Sequence, residues 1–453
     1  MRKLIRNLRL YAPYAISCAF ALFGLVNPQS KFDALQIFLF TFLISHLLYA
    51  QQKRNRAFLT IWALTLFTAL VVYFIYHREL FILVPISILA GVIYFFILEK
   101  AVKNLNNIFV AHLIVFFLLS AYFNSYSLRT IISREPAPKS YFNDYLGFLR
   151  NFYLVERGYG YYEGLVITHS EDGRSSTIPQ KVWNWRLPTY AYLWKILPGT
   201  GGLSVYVFFL ALPSVALYFT YRIGRVFLNP NQAVLVPYVL LPYFHYAARD
   251  LSFLEMEWWA LPFLILAVFA IFKKRLNLLI ITAALAMLLR ETFLIPMLIW
   301  SALMVISKNY KMARTLTFAV AIFLIALALH YFKVTQYISR SWDALIFGSK
   351  LFDLNAFQQT LSYGSIDYLF FRFRPFLVSL VFAVLLLATS FYRRRVNWNL
   401  LLVPLTALSM TIFTLKFASI DADYWGVTYV PLLLISIVFL LFSLINNEGQ
   451  TKN

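Results

Sequence analysis

Apolar stretches of about 16 to 20 residues recur along almost the whole chain, each long enough to cross a hydrocarbon core of about 30 Å as a helix. Fourteen can be traced, over residues 10–26, 33–50, 57–76, 80–98, 105–124, 202–220, 232–248, 256–272, 276–290, 292–307, 315–332, 375–392, 399–416 and 427–445. A chain built this way predicts an all-α polytopic membrane protein of about fourteen transmembrane helices. Composition agrees: 61% of the residues are hydrophobic and only 13% charged, where a soluble domain carries about a quarter charged residues. The two or three soluble domains that 453 residues would otherwise suggest are thereby excluded. The ninth and tenth stretches are short and read as one broken helix pair.

The positive charge lies between these stretches. With the amino terminus inside, clusters such as Lys53, Arg54 and Arg56, Lys273, Lys274 and Arg275, and Arg393, Arg394 and Arg395 all fall on the inner side. Twenty-one Lys and Arg lie inside, whereas the short outer connections hold Lys31, Arg78, Arg249, Arg290 and Lys416. Such a bias orients helices, and long loops are exempt from it. The net charge of +21 is therefore read as orientation, and nucleic acid is excluded as a partner. The start MRKLIRNLRL before an apolar run with no small-residue cleavage site reads as a signal anchor. Both termini are expected in the cytoplasm, with two long segments, 125–201 and 333–374, outside.

Metal chemistry finds little support. Cys18 stands alone, and the histidines at 46, 77, 112, 169, 245 and 330 include no pair at helical spacing.

The outer segment 125–201 is the least membrane-like part of the chain, and a loop of that length with dense acidic and aromatic content carries function or its own secondary structure. Within YFNDYLGFLRNFYLVERGYGYYEG, Tyr141, Tyr145, Phe148, Leu149 and Phe152 fall at three- and four-residue spacing. They predict an amphipathic helix on the membrane surface, ended by Gly158 and Gly160, with Asp144 in its first turn. Asp144 also admits a plain helix-terminal role. Downstream, in WNWRLPTYAYLWKILPGTGG, Arg186 precedes Pro188 and is expected at a helix start, where a guanidinium can reach phosphate oxygens. The GTGG run lacks a GK[ST] ending and reads as a turn leading into the next span. Segment 333–374 reads as one or two surface helices.

The order of an acidic residue, Tyr, an aromatic helix, Gly-Tyr and then Arg-x-Pro-x-Tyr before a returning helix resembles the first outer loop of GT-C-type glycosyltransferases. These are integral-membrane enzymes that use polyprenyl-phosphate sugars. The resemblance implies that Asp144 is the catalytic base, that Arg186 contacts the lipid phosphate and that Tyr145 and Tyr190 border the substrate. It extends to RDLSFLEMEWWALPFLILAVF and ALAMLLRETFLIP, implying site roles for Glu257 and Arg290, and to DYWGVTYVPLLLI in the last outer loop. Five spans precede the catalytic loop where the family usually has one. Residues 1–103 therefore read as an added four-helix module and residues 104–453 as the glycosyltransferase core. The resemblance implies a bacterial inner-membrane enzyme with its site outside, requiring no cofactor and leaving room for a divalent cation. Its donor would be a polyprenyl-phosphate sugar and its acceptor a glycan, lipid or protein.

The charges make a related argument by themselves. Ionisable groups at the edge of an apolar bundle are costly and mark functional sites by default. The expected topology gathers Asp144, Arg186, Arg249, Asp250, Glu255, Glu257, Arg290, Glu291, Arg372, Arg374, Asp421 and Asp423 on the outer side. Sugar transfer from a lipid phosphate needs a carboxylate base on one face of the sugar and cations for the leaving phosphate on the other. Local readings compete: Arg290 with Glu291, and Arg249 with Asp250, can each be simple neutralising pairs. A transporter or flippase, and an O-antigen polymerase or ligase with His169 as its loop histidine, are the alternatives.

Overall fold

The computed structural model describes residues 125–138, 144–172, 178–228, 230–233, 235–338, 398–417 and 423–447, with isolated positions between 110 and 121 and between 357 and 384. The expected module 1–103 and most of the spans 105–124 and 375–392 and of segment 333–374 lie outside the described residues. Among the described residues the chain is helical and has no strand. A layer beside the bundle, called the outer layer only for its place around the bundle core, holds α1 (Tyr126–Ile132), α2 (Asp144–Glu156), α3 (Tyr161–Glu171) and α4 (Thr189–Lys195). A bundle follows: α5 (Gly201–Phe227), α6 (Leu235–Arg249), α7 (Met256–Phe272), α8 (Leu276–Leu289), α9 (Leu294–Ile306), α10 (Tyr310–Val334), α11 (Trp398–Phe417) and α12 (Val430–Asn447). Each bundle helix coincides with one apolar stretch of the sequence.

Two of them, α5 with 27 residues and α10 with 25, are long and apolar enough to cross a membrane, by length and composition. Their neighbours α7, α8 and α9 are shorter and also apolar. The helix α7 is apolar all round, and nearly every residue of it is buried against α5 and α8, as expected of a central helix. By contrast, α10 packs Ala313, Ala319 and Val320 inward and leaves Phe318, Ile325, Leu329 and Phe332 more than half exposed. Leu316 and Phe323 are buried on the same inner side, so α10 has one face against protein and one apolar face directed outward. The broken pair expected at 276–307 is real: Arg290 is in extended backbone, and a 3-10 turn, Glu291–Phe293, separates α8 from α9.

The outer layer is tied to the bundle through the start of α5. A helix begins with N–H groups that have no partner in the helix. Here Gly201 N–H donates to Glu156 at 3.0 Å and Gly202 N–H to the Tyr153 hydroxyl at 3.0 Å, while that hydroxyl donates to the Ile132 carbonyl at 2.9 Å. A Cβ on Gly202 would stand 2.5 Å from the same carbonyl, so only glycine allows α5 to approach α1 this closely.

The helix expected over 141–157 forms as α2, starting at Asp144 and released at Gly158, whose φ is +100°. Its apolar face is covered by protein rather than laid bare on a membrane surface. Leu149 and Phe152 are fully buried. Phe148 meets Tyr190 edge-on at 5.4 Å and Phe152 meets Trp194 at 5.6 Å, both rings belonging to α4. Periodicity identifies an apolar face, but what covers it depends on where the chain returns.

Candidate functional site

One face of α2 and one face of α3 line a shared cavity of about 320 Å³. From α2 come Asp144, Gly147, Phe148 and Asn151, and from α3 and the residue that ends it come Leu165, Thr168, His169 and Asp172, each set at the three- and four-residue spacing of a helix face. The two helices can approach because residue 164 is glycine: a Cβ there would come within 2.6 Å of Asn151 Oδ1. The cavity is closed by Pro179, Asn184, Arg186 and Tyr190, and by Tyr424 from the turn before α12.

Arg186 stands in the linker between the 3-10 turn Val182–Asn184 and α4, ahead of Pro188 as expected. Its side chain is 15% exposed and approaches Glu291 at 3.4 Å. Its Nη2 donates to the Tyr424 hydroxyl at 3.3 Å. Burial opposes the guanidinium's charge, but Tyr424, Glu291, Glu257 and Asp144 together hold its pKa above the ordinary value. It is therefore a fixed cation facing the cavity. Below it, Asn151 donates to the Tyr190 hydroxyl at 2.9 Å. Burial pushes Tyr190 up to about 12, so it stays a neutral phenol.

Behind Arg186 lies a chain of charges. Glu291 also accepts from Arg290 at 3.1 Å, and Arg290 pairs with Glu257 at 2.6 Å with both side chains only 2% exposed. The Arg290 guanidinium lies over the Tyr424 and Trp425 rings, 6.0 and 5.6 Å from their centroids. Glu257 belongs to the first turn of α7 and Arg290 to the end of α8, so antiparallel packing brings them to one end of the bundle. The basic turn at Lys273–Arg275 falls at the far ends of these two helices, and the one around Lys308 at the far end of α9.

Of the residues singled out in the sequence, Asp144, His169, Arg186 and Tyr190 line the cavity, and Glu291 touches it through Arg186. Arg290 and Glu257 join the same ionic chain yet are sealed from the cavity. Tyr145, beside Asp144, packs against the apolar core instead of lining the cavity. The Arg249 and Asp423 side chains lie outside the described residues, and Asp250 caps the turn after α6 by accepting from Leu251 N–H at 2.6 Å. Among the described residues no group of three His, Cys, Asp or Glu is arranged to hold a metal ion.

Sequence reasoning missed Asn151, Thr168, Asp172, Asn184 and Tyr424. The spacing of the first three along α2 and α3 could have revealed them, once α3 was read as a second helix facing the first. Tyr424, which arrives from more than 230 residues away, lies in the DYWGVTYVPLLLI run but carries no spacing signal that would place it at the cavity. Compared with known protein families, curated proteins and solved structures, the chain matches none.

Proposed function

We propose that this chain is a membrane-embedded glycosyltransferase of about fourteen spans, taking a sugar from a polyprenyl-phosphate donor and passing it to a glycan, lipid or protein acceptor on the outer face of a bacterial inner membrane. The observation that carries the reading is a cavity holding both groups such a reaction needs: Arg186 as a fixed cation, and Asp144 as a carboxylate on the facing helix. At about 320 Å³ the space is at the small end of ligand cavities, which run from about 300 to 1,000 Å³. The outward apolar face of α10 supports a lipid surround. So do Tyr159, Tyr192 and Tyr337, all at least 40% exposed, because tyrosine is favoured at the membrane-water boundary.

In this reading the Asp144 carboxylate takes the proton of an acceptor hydroxyl. The hydroxyl oxygen attacks the anomeric carbon, and the bond to phosphate oxygen breaks with its electron pair leaving on the polyprenyl phosphate. Arg186 neutralises that developing charge, and configuration inverts. Glu257, Arg290 and Glu291 act from behind, fixing where Arg186 stands.

A second reading has one observation in its favour: His169 lines the same cavity as Arg186, the pairing expected of an O-antigen polymerase or ligase. Purified protein in lipid nanodiscs, given polyprenyl monophosphate sugars and polyprenyl diphosphate glycans, separates the two. Release of polyprenyl monophosphate supports the first reading and release of the diphosphate the second. Absence of sugar release from either class by folded protein that Arg186→Ala does not alter would sink both.

A further inference from the structure

The backbone that carries Arg186 is held at two consecutive carbonyls. Tyr161 donates its hydroxyl proton to the Arg186 carbonyl at 2.5 Å. His330, from the far end of α10, meets the Trp185 carbonyl through Nε2 at 3.1 Å and the Tyr162 hydroxyl through Nδ1 at 2.9 Å. A backbone carbonyl can only accept, so Nε2 carries the proton, and Nδ1 is left to accept from Tyr162. Burial pushes Tyr162 up to about 12, which keeps that proton in place. The imidazole is 2% exposed and is flanked by Tyr162 at 5.6 Å between ring centroids. Trp185 and Tyr337 close the cluster, with centroids 6.0 Å apart.

We infer that His330 is a positioning residue for Arg186, gripping the Trp185 carbonyl so that the guanidinium points at the cavity. The adjacent tyrosines Tyr161 and Tyr162 at the start of α3 grip the WNWR segment at both carbonyls, one directly and one through His330. The inference accounts for two otherwise separate sequence features, the Tyr pair of GYGYYEG and the Arg of WNWRLP. His330 itself neither lines the cavity nor touches Arg186's side chain. A linker of extended backbone between a 3-10 turn and a seven-residue helix has few hydrogen bonds of its own, so external anchors decide the direction of its side chains.

The test has two arms, because the ligand of the cavity is itself a proposal resting on the reading above. The first arm needs no ligand. Phenylglyoxal labelling of Arg186 in the full-length protein, read by peptide mass spectrometry, reports how firmly the guanidinium is held, with exposed Arg157 as internal reference. His330→Phe keeps a packed ring and removes both hydrogen bonds, and should raise the Arg186 labelling rate about tenfold, the scale of one lost hydrogen bond. His330→Gln places an amide N–H near the Nε2 position and should restore the slow rate. His330→Asn places it near Nδ1 and should not. An unchanged rate in folded His330→Phe, or rescue by Asn in place of Gln, overturns the inference. If His330→Phe does not fold, Tyr162→Phe, which removes only the hydroxyl, should raise the rate severalfold, and an unchanged rate there overturns it equally.

The second arm measures binding of undecaprenyl phosphate against undecaprenol. His330→Phe should weaken only the phosphate-dependent part, by about tenfold, with Gln again rescuing. Equal binding in wild type and Arg186→Ala would reject the phosphate reading of the cavity and leave the labelling arm to decide the role of His330.

Discussion

Two chains of charge in this protein have the same composition and opposite destinations. In the outer layer, Glu171 pairs with Arg150, Arg150 with Glu135, and Glu135 with Arg157. At the end of the bundle, Glu257 pairs with Arg290, Arg290 with Glu291, and Glu291 with Arg186. Each places a nearly buried arginine between two carboxylates and ends on a second arginine. The outer-layer chain opens to solvent: its glutamates are 28% and 20% exposed and Arg157 is 50% exposed. The bundle chain starts from a glutamate 2% exposed and ends in the cavity. Water solvates the first, so it serves to pin α2 to α3 and to the segment before α2. The second carries a desolvation cost that a surface pin would avoid, and what it delivers is a cation fixed at a ligand-sized space.

The widest separation between the two regions should come from the cavity. Replacing Asp144 by Asn preserves size and most hydrogen bonding but removes basicity, so sugar transfer should fall by about two to four orders of magnitude while donor binding survives. If Asp144 only caps α2, the cost is confined to stability, at about 1 kcal/mol or less. Folded Asp144→Asn protein with near-normal turnover would sink its role as base.

Next in size is the buried pair. Arg290→Met leaves Glu257 without its cation among apolar helices and should lower stability by about 3–5 kcal/mol, read by denaturant titration in detergent. Adding Glu257→Leu should recover a good part of that loss, since an apolar pair replaces an ion pair. A double variant no more stable than the single one would show that the cost lies in lost packing instead.

The equivalent change in the outer layer should be milder. Arg150→Met removes a two-pronged contact, with bonds of 2.8 and 2.9 Å to Glu171, but leaves carboxylates that water can reach. About 1.5 kcal/mol is expected, and a loss matching that of Arg290→Met would erase the distinction between the regions. Arg157→Ala, at the exposed end, should change stability by less than about 0.5 kcal/mol. A larger, salt-insensitive effect would mean that the outer chain is also cooperative.

The sequence was a good guide to the bundle and a partial one to the cavity. Eight apolar stretches are helices with nearly their expected bounds, because an apolar run of that length has few alternatives to helix. The positions of Asp144 at the start of α2 and of Arg186 ahead of α4 were legible because each sits beside a local signal, a first helical turn and a proline. The burial of Arg290 was not legible, since the pattern that puts it at a helix end says nothing about which ring or carboxylate will cover it. Tyr145 shows the same limit: adjacent to Asp144 in sequence, it turns to the core because neighbours on a helix point about 100° apart.

By itself, then, the sequence determined that the bundle segments among the described residues are helical, within several residues where those helices begin and end, and which ends carry acidic and basic residues together. Hydropathy and charge are properties of each segment and need no partner to be read. Tertiary structure alone decided that α3 faces α2 across a cavity, that Tyr424 and Arg186 meet across 238 residues, and that His330 grips the Trp185 carbonyl. Those contacts depend on helix packing and on backbone carbonyls, which carry no sequence signature at all.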